Sequence, residues 1–286
     1  MTEPSRFGAP VPTGRIEHHP DGYALAFERG LDYPAGHIWE VLTNRDKVAQ
    51  WLGIVTPHWQ LGKEYRLDMG GSAVTGTVLQ MSPGASLQLT WEDPLGGESV
   101  VSWQVQQGPD GTVLLFHTHE NGADFLTEGA AGWQGILETF ADVAAGREPV
   151  RQSPERWLGL RNAYAEEFDV SPTMGRLESG TQPAELEFER WYDAAARDAG
   201  SALERARAEL LPGEEATVDI TGQAGRARVA VRQPVHGGAD EAAALLAGWH
   251  QALDAAAADL AGDPWNPSSR RMAALRDLYR GASGAG

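Results

Sequence analysis

The stretch Gly132–Gly146, GWQGILETFADVAAG, decides how this chain is read. It forms the second half of a long apolar helix, about Ala123 to Ala145, that follows directly on a β-branched strand, Thr112–His119. Leu126, Ala130, Trp133, Leu137, Phe140 and Ala144 recur at spacings of three and four, which places them on one helix face. Fully burying each large member is worth roughly 1.5–3 kcal/mol, so this face is expected to supply much of a core. The same stretch returns near the C-terminus as Gly248–Gly262, GWHQALDAAAADLAG.

Upstream of the helix the pattern is that of strands. Gly14–Glu17 and then Tyr23–Leu31 read as a first strand, alternating through Tyr23, Leu25 and Phe27. Pro34 opens a helix carrying Ile38, Trp39, Val41 and Leu42, and a second short helix runs from about Arg45 to Leu52. Five strand-like runs follow: Glu64–Met69, Ala73–Met81, Leu87–Glu92, Ser99–Gln106 and Thr112–His119. Pro83-Gly84, Pro94 with Gly96-Gly97, and Pro109-Asp110-Gly111 punctuate them, and such short spacers favour an antiparallel meander. Beyond the long helix, Pro154–Phe168 reads as a shorter helix with Trp157, Leu160, Tyr164 and Phe168.

From Gly175 the pattern starts again. GRLE at 175–178 repeats GRIE at 14–17, and LEFER at 186–190 matches LAFER at 25–29, both displaced by 161 residues. Gly238-Ala239-Asp240 and the second Gly-Trp helix follow their counterparts at a displacement of 116. One residue out of step, Leu275–Tyr279 repeats Leu160–Tyr164. Ordered matches over the whole unit indicate a tandem duplication whose second copy has lost 45 residues, mostly middle strands. The expected divisions are a flexible tail over 1–13, a complete domain over 14–168, a linker over 169–174, a truncated repeat over 175–281, and a tail over 282–286. In the repeat, a helix is expected from about Tyr192 to Leu211, followed by a hairpin of Thr217–Thr221 and Arg226–Val235.

At 286 residues there is room for two domains with cores. A formal charge of −17 argues against nucleic acid and anionic lipid as partners. The absence of cysteine excludes disulfides and thiolate chemistry and accords with a cytoplasmic address. No apolar run approaches the roughly 18 residues a membrane helix needs, and the N-terminus has no apolar signal-peptide core.

FERGLDYPAGHIWEVLTNRDKVAQWLG, with Asp32, Pro34, Trp39, Leu42, Thr43 and Trp51, resembles the opening of bacterial relatives of the heat-shock-protein-90 ATPase activator. Gly76-Thr77-Val78, Leu87–Trp91 and the closing strand and helix up to Gly146 are similar to the same family. The family belongs to the helix-grip superfamily, with START lipid-binding domains and polyketide cyclases. The resemblance implies an α+β fold: a START-like curved antiparallel sheet around a long C-terminal helix, often with an apolar cavity between them. The truncated second copy of the fold would follow it.

His117-x-His119, beside Glu120, is the leading chemical candidate. Two imidazoles two residues apart on a strand can meet one metal, or one can act as a general acid or base beside a ligand. A hydrogen-bonded pair at a strand end is the plainer account, and no second ligand cluster supports a metal, so neither metal nor cofactor is expected. In the second copy Val229, Val231 and Val235 share one strand face, away from Arg228 and Arg232. Shifting by 116 places Val113, Leu115 and His119 on the inner face of the first copy, with Gln233 matching His117. Trp51, Trp59, Trp91, Trp103 and Trp133 form an aromatic set that either lines a pocket or builds the core. The expected ligand-lining residues are Trp51, Trp91, Trp103, Leu115, His117, His119 and Trp133. Gly70-Gly71 and Gly96-Gly97 read as loop hinges. Glu40, Asp46, Glu92, Asp93 and Glu98 read as solvated carboxylates.

The expected function is non-enzymatic binding of a small apolar or aromatic molecule in the first repeat. A protein-interaction module like the chaperone-ATPase activator is the second reading. A cyclase- or hydratase-type enzyme using His117 or His119 is the third. The truncated repeat, with sheet left uncovered, is expected to pack on the first domain or on another subunit, a second copy or a protein partner.

Overall fold

The computed structural model describes residues 9–283 apart from 71, 93–94, 96–97, 109–110, 179, 181–182 and 266–268. The chain divides into two units, with the break between Val170 and Ser171. In the first, β1 (Gly14–His19) and β2 (Gly22–Leu31) form an antiparallel hairpin where the sequence suggested one strand. Helices α1 (Ala35–Thr43) and α2 (Arg45–Trp51) follow. Asn44 separates them because its side chain accepts from the N–H groups of Asp46 and Lys47, a cap that starts α2 afresh. Then come β3 (Ile54–Thr56), β4 (Glu64–Asp68), β5 (Ala73–Ser82), β6 (Ser86–Glu92), β7 (Glu98–Gly108) and β8 (Gly111–His119). Only β3, three residues long, has no counterpart in the sequence pattern. Helix α3 (Leu126–Ala144) and helix α4 (Pro154–Phe168) complete the unit; Ser153 caps α4 and Pro154 opens it.

The eight strands form one antiparallel sheet in the order β1-β2-β8-β7-β6-β5-β4-β3. It grips α3, whose six residues at spacings of three and four are all buried, as expected. Leu25 and Phe27 on β2, Leu67 on β4, Leu87 and Leu89 on β6 and Phe116 on β8 belong to the same apolar core.

The expected tail over 1–13 is corrected for its described part. The Thr13 N–H donates to Gln134 Oε1 at 3.0 Å, and Gln134 donates back to the Val11 carbonyl at 3.1 Å. One carboxamide on α3 thus answers both backbone groups of the entering chain, which fixes it.

The second unit contains β9 (Arg176–Glu178), β10 (Ala184–Tyr192), α5 (Ala196–Leu210), β11 (Thr217–Gln223), β12 (Arg226–Val235), α6 (Ala239–Ala261) and α7 (Ser269–Ser283). Its sheet order, β9-β10-β12-β11, repeats β1-β2-β8-β7, so it is a shortened version of the first architecture. Among the described residues nothing corresponds to β3 through β6. The helix expected from Tyr192 starts at Ala196, because Trp191 and Tyr192 pair with Arg228 and Ala227 and extend the strand. The expected linker is also ordered. Ser171 Oγ accepts from Trp191 N–H and the Thr173 carbonyl accepts from Arg190, both within the second unit.

The repeated glycines have one physical cause. A Cβ at Gly14 would collide with the Phe27 ring, and one at Gly175 with the Phe188 ring. The freed N–H groups donate to Tyr164 Oη at 3.0 Å and to Tyr279 Oη at 3.1 Å. Each terminal helix is thereby tied to the first strand of its own unit.

The expectation of uncovered apolar sheet in the second unit is overturned. On the solvent side Glu187 meets Arg176 at 2.6 Å and Arg232 at 3.2 Å, and Arg228 pairs with Glu189. Arg226 lies over the Trp191 ring, 5.4 Å from its centroid, covering the large apolar side chain on that face. Opposite charges on neighbouring strands stabilise such a face in water, so it needs no cover.

Candidate functional site

Strand β8 carries the decisive geometry, and it faces the other way from expectation. Thr112, Leu114, Phe116 and Thr118 are buried, while Val113, Leu115, His117 and His119 alternate with them on the opposite face. The Phe116 ring stands 4.3 Å from the Trp133 ring of α3, so the Phe116 side is inner. The error has a definite origin. Phe27 pairs with Phe116, and its counterpart Phe188 pairs with Val231, a displacement of 115 along the last strand rather than the 116 of the helices. One extra residue between last strand and long helix in the second unit shifts the mapping, and a shift of one exchanges the two faces of a strand.

His117, His119 and Leu115 therefore lie outside the sheet–helix interior. His117 sits in a lateral row with Ala26, Ser102, Gln88 and Gln80. A shallow groove on the sheet is lined partly by Gln80, Gln88, Gln104 and Gln106, amides and not carboxylates. The His119 imidazole is 44% exposed and lies 4.0 Å from Asp21 Oδ2, itself well exposed. Neither histidine is placed to move a proton on something held in the interior.

The expected tryptophans separate into two groups. Trp91, Trp103 and Trp133 come together: Trp91 and Trp133 have ring centroids 5.0 Å apart, and Trp103 and Trp133 6.0 Å. Phe116, which the sequence reading placed outward, joins them at 5.2 Å from Trp103. Trp51, the last residue of α2, lies elsewhere, edge-on to Phe140 of α3 at 5.0 Å, with its indole N–H donating to the Val41 carbonyl. Of the four clustered rings, Trp91 is the one that remains partly exposed. The Trp103 indole nitrogen is buried and finds no acceptor among the described residues.

A second constellation occurs twice and escaped the sequence reading. In the first unit Tyr164 Oη donates to Gln134 Oε1 at 2.7 Å, and Arg156 meets Glu138 at 2.9 Å. In the second unit His250 takes the place of Gln134, with Nδ1 2.8 Å from Tyr279 Oη. Asp254 takes the place of Glu138, held by Arg190 at 3.2 Å and Arg271 at 3.0 Å. His250 is fully buried, and desolvation, reinforced by Arg190 and Arg271, holds its imidazole well below the usual value. Arg29 and Arg190, within the matched LAFER and LEFER blocks, were the available signal. These clusters join first strand, long helix and last helix within each unit, which is a structural task.

Among the described residues no group of three His, Asp or Glu side chains converges as a metal site. Gly71, Asp93, Gly96, Gly97 and the Glu98 side chain lie outside the described residues. Glu40 and Glu92 make ordinary surface contacts, to Lys47 Nζ at 3.1 Å and Thr75 Oγ1 at 3.4 Å. No described helix is long and apolar enough to cross a membrane.

Residues 32–145 match the family model described as Activator of Hsp90 ATPase homolog 1-like protein. Solved structures with similarity include CalU16 from Micromonospora echinospora, at 19% identity, covering 55% of this chain and 94% of that one, with a TM-score of 0.46. DynU16, described as a putative protein in the dynemicin biosynthetic locus, is 17% identical, with 82% and 97% of the two chains covered and a TM-score of 0.43. The Aha1 dimer from Colwellia psychrerythraea is 17% identical, with 42% and 95% covered and a TM-score of 0.39. No curated protein sequence matches this chain.

Proposed function

With residues 32–145 identified as an activator of Hsp90 ATPase homolog 1-like domain of helix-grip architecture, we propose that the protein binds a small apolar or aromatic molecule in its first unit. Binding occurs between the sheet and α3, beside Trp91, Trp103, Trp133 and Phe116, and no chemistry is performed on the ligand. The observation that carries this reading is the difference between the two units at equivalent positions. By the same strand register, Trp103 and Phe116 correspond to Val218 and Val231. Trp133 corresponds to Trp249, whose N–H is closed off by Gln233 Oε1 at 2.6 Å. The architecture is thus built in the second unit without the aromatic cluster, so stability alone does not call for it. We further propose that the two units arose by tandem duplication and that the truncated one serves as a closed partner fold. The lack of cysteine accords with a cytoplasmic setting. A protein-interaction role is the second reading, favoured by the family match. Native mass spectrometry of freshly purified full-length protein tests the first reading. A retained small molecule, lost in the Trp133→Ala variant, is the expected result, and a bare chain mass under all conditions favours the interaction role.

A further inference from the structure

We propose that β11 is an association edge: two copies of the chain pair their β11 strands antiparallel about a two-fold axis at Ile220, joining their second sheets into one. The outer face of that sheet needs no cover, but its β11 edge is open. In the first unit the equivalent strand, β7, is flanked on its far side by β6, and Leu87 of β6 stands beside Trp103. The register that matches Trp103 with Val218 also matches Val105 with Ile220. Trp103 and Val105 are 0% and 6% exposed, whereas Val218 and Ile220 are only half-buried, with Ile220 lying against α5 near Gly200. The lack of a β6 counterpart among the described residues thus leaves two apolar side chains open along one side. It also leaves alternate N–H and C=O groups of β11 directed away from the sheet.

Folded proteins blunt such edges with short strands, bulges, prolines or charges. The edge strands β3 and β9 are three residues long, and the edge strand β1 carries the Arg15–Glu17 ion pair. Strand β11 has seven residues, TVDITGQ, in unbroken register with β12, and its one charge is Asp219. Its sequence is complementary to itself in one register. Two identical antiparallel strands centred on Ile220 use the whole strand. Asp219 then faces the partner's Thr221, whose hydroxyl can donate to the carboxylate, and Thr217 faces the partner's Gln223. Val218 faces the partner's Gly222, and Ile220 meets its own copy, so both apolar residues lose their open sides. Centring on Asp219 instead would oppose two carboxylates and shorten the pairing. Backbone pairing of this kind is strand addition. It joins two four-stranded sheets into eight strands, the number the first unit has by itself. The chain's formal charge of −17 opposes association at long range, so pairing should be tighter at physiological than at low ionic strength.

Sedimentation velocity of the full-length protein tests this. The expected result is a monomer–dimer equilibrium at micromolar concentrations. The Thr221→Asp variant should weaken it roughly tenfold, because two pairs of carboxylates then oppose each other. Thr221 is exposed and lies across from Arg228 on β12, so a carboxylate there suits the single chain. The chain has no cysteine, so Ile220→Cys introduces one thiol. On the two-fold axis its two copies have the Cα separation of paired strands, roughly 4.5–5.5 Å, and oxidation by diamide should link them into a covalent dimer. Gln223→Cys, at the far end of the strand, should not link. A chain that sediments as a monomer throughout overturns the inference, whether β11 then stays bare or takes an extended segment of another protein. A dimer that Thr221→Asp leaves unchanged, or that Ile220→Cys leaves uncrosslinked, overturns it by placing the contact elsewhere.

Discussion

His250 shows what one residue can do inside a repeated frame. Its counterpart Gln134 accepts from Tyr164 and never titrates, whereas His250 lies 2.8 Å from Tyr279 Oη and is surrounded by Arg190, Arg271 and Asp254. Phe188 of β10 packs edge-on against it, so no water compensates a charge there. Its folded-state affinity for a proton is depressed below that of the unfolded chain, chiefly by desolvation. The unfolded chain therefore binds more protons below about pH 6.5, and acid works against the fold. The second unit is expected to keep full stability above that pH. Below it, stability should fall by at most about 1.4 kcal/mol per pH unit from this group. Urea unfolding at pH 7.5, 6.0 and 5.0 checks this, with His250→Gln as the comparison. The variant copies the first unit and should flatten the acid loss between pH 6.5 and 5; an unchanged slope would assign the loss to carboxylates.

Strand β8 is the element on which the site depends. Its inner residues carry the core and its outer residues carry both histidines, so two neighbouring substitutions should behave oppositely. Phe116→Ala removes a fully buried ring that touches Phe27, Trp103 and Trp133, and should cost about 3–5 kcal/mol in thermal or urea unfolding. His117→Leu changes a half-buried side chain on the sheet exterior and should shift stability by less than about 1 kcal/mol. Retention of any bound small molecule should also be unaffected by His117→Leu. Loss of binding in that variant would return the histidine to the site. The register of β8 with β2 and β7 decides between these outcomes, and the alternation of types along the strand is ambiguous, since Val, Leu and His all lie on the outer side.

At the scale of the whole molecule, two units of one architecture differ in completeness and in surface. Among the described residues, the first has eight strands around α3 and the aromatic cluster, and the second has four strands and an outer face laced with ion pairs. Each has its own buried core and its own tie between Tyr164 or Tyr279 and the first strand. A chain ending at Val170 is therefore expected to unfold in a single cooperative transition. It should retain the small molecule that the full-length protein retains. Circular dichroism melting and native mass spectrometry read the two quantities. Failure to fold without residues 171–286 would make the second unit a required support rather than a closed partner.

Most of the elements, the antiparallel meander, the helix face at Trp133 and the recurrence of the pattern were legible in the sequence alone, because those depend on local periods and turn residues; β3 and the break between β1 and β2 were not. The helix from Pro154 to Phe168 and the strand from Thr112 to His119 are legible for that reason. Which side of β8 looks inward was decided only by the pairing of Phe27 with Phe116, since a two-residue period carries no sign and a one-residue insertion elsewhere reverses it. The clusters around Tyr164 and Tyr279 were likewise settled by tertiary structure. Their members come from three elements far apart in the chain, so the repeat marks Tyr164 and Tyr279 as equivalent without showing what their hydroxyls meet.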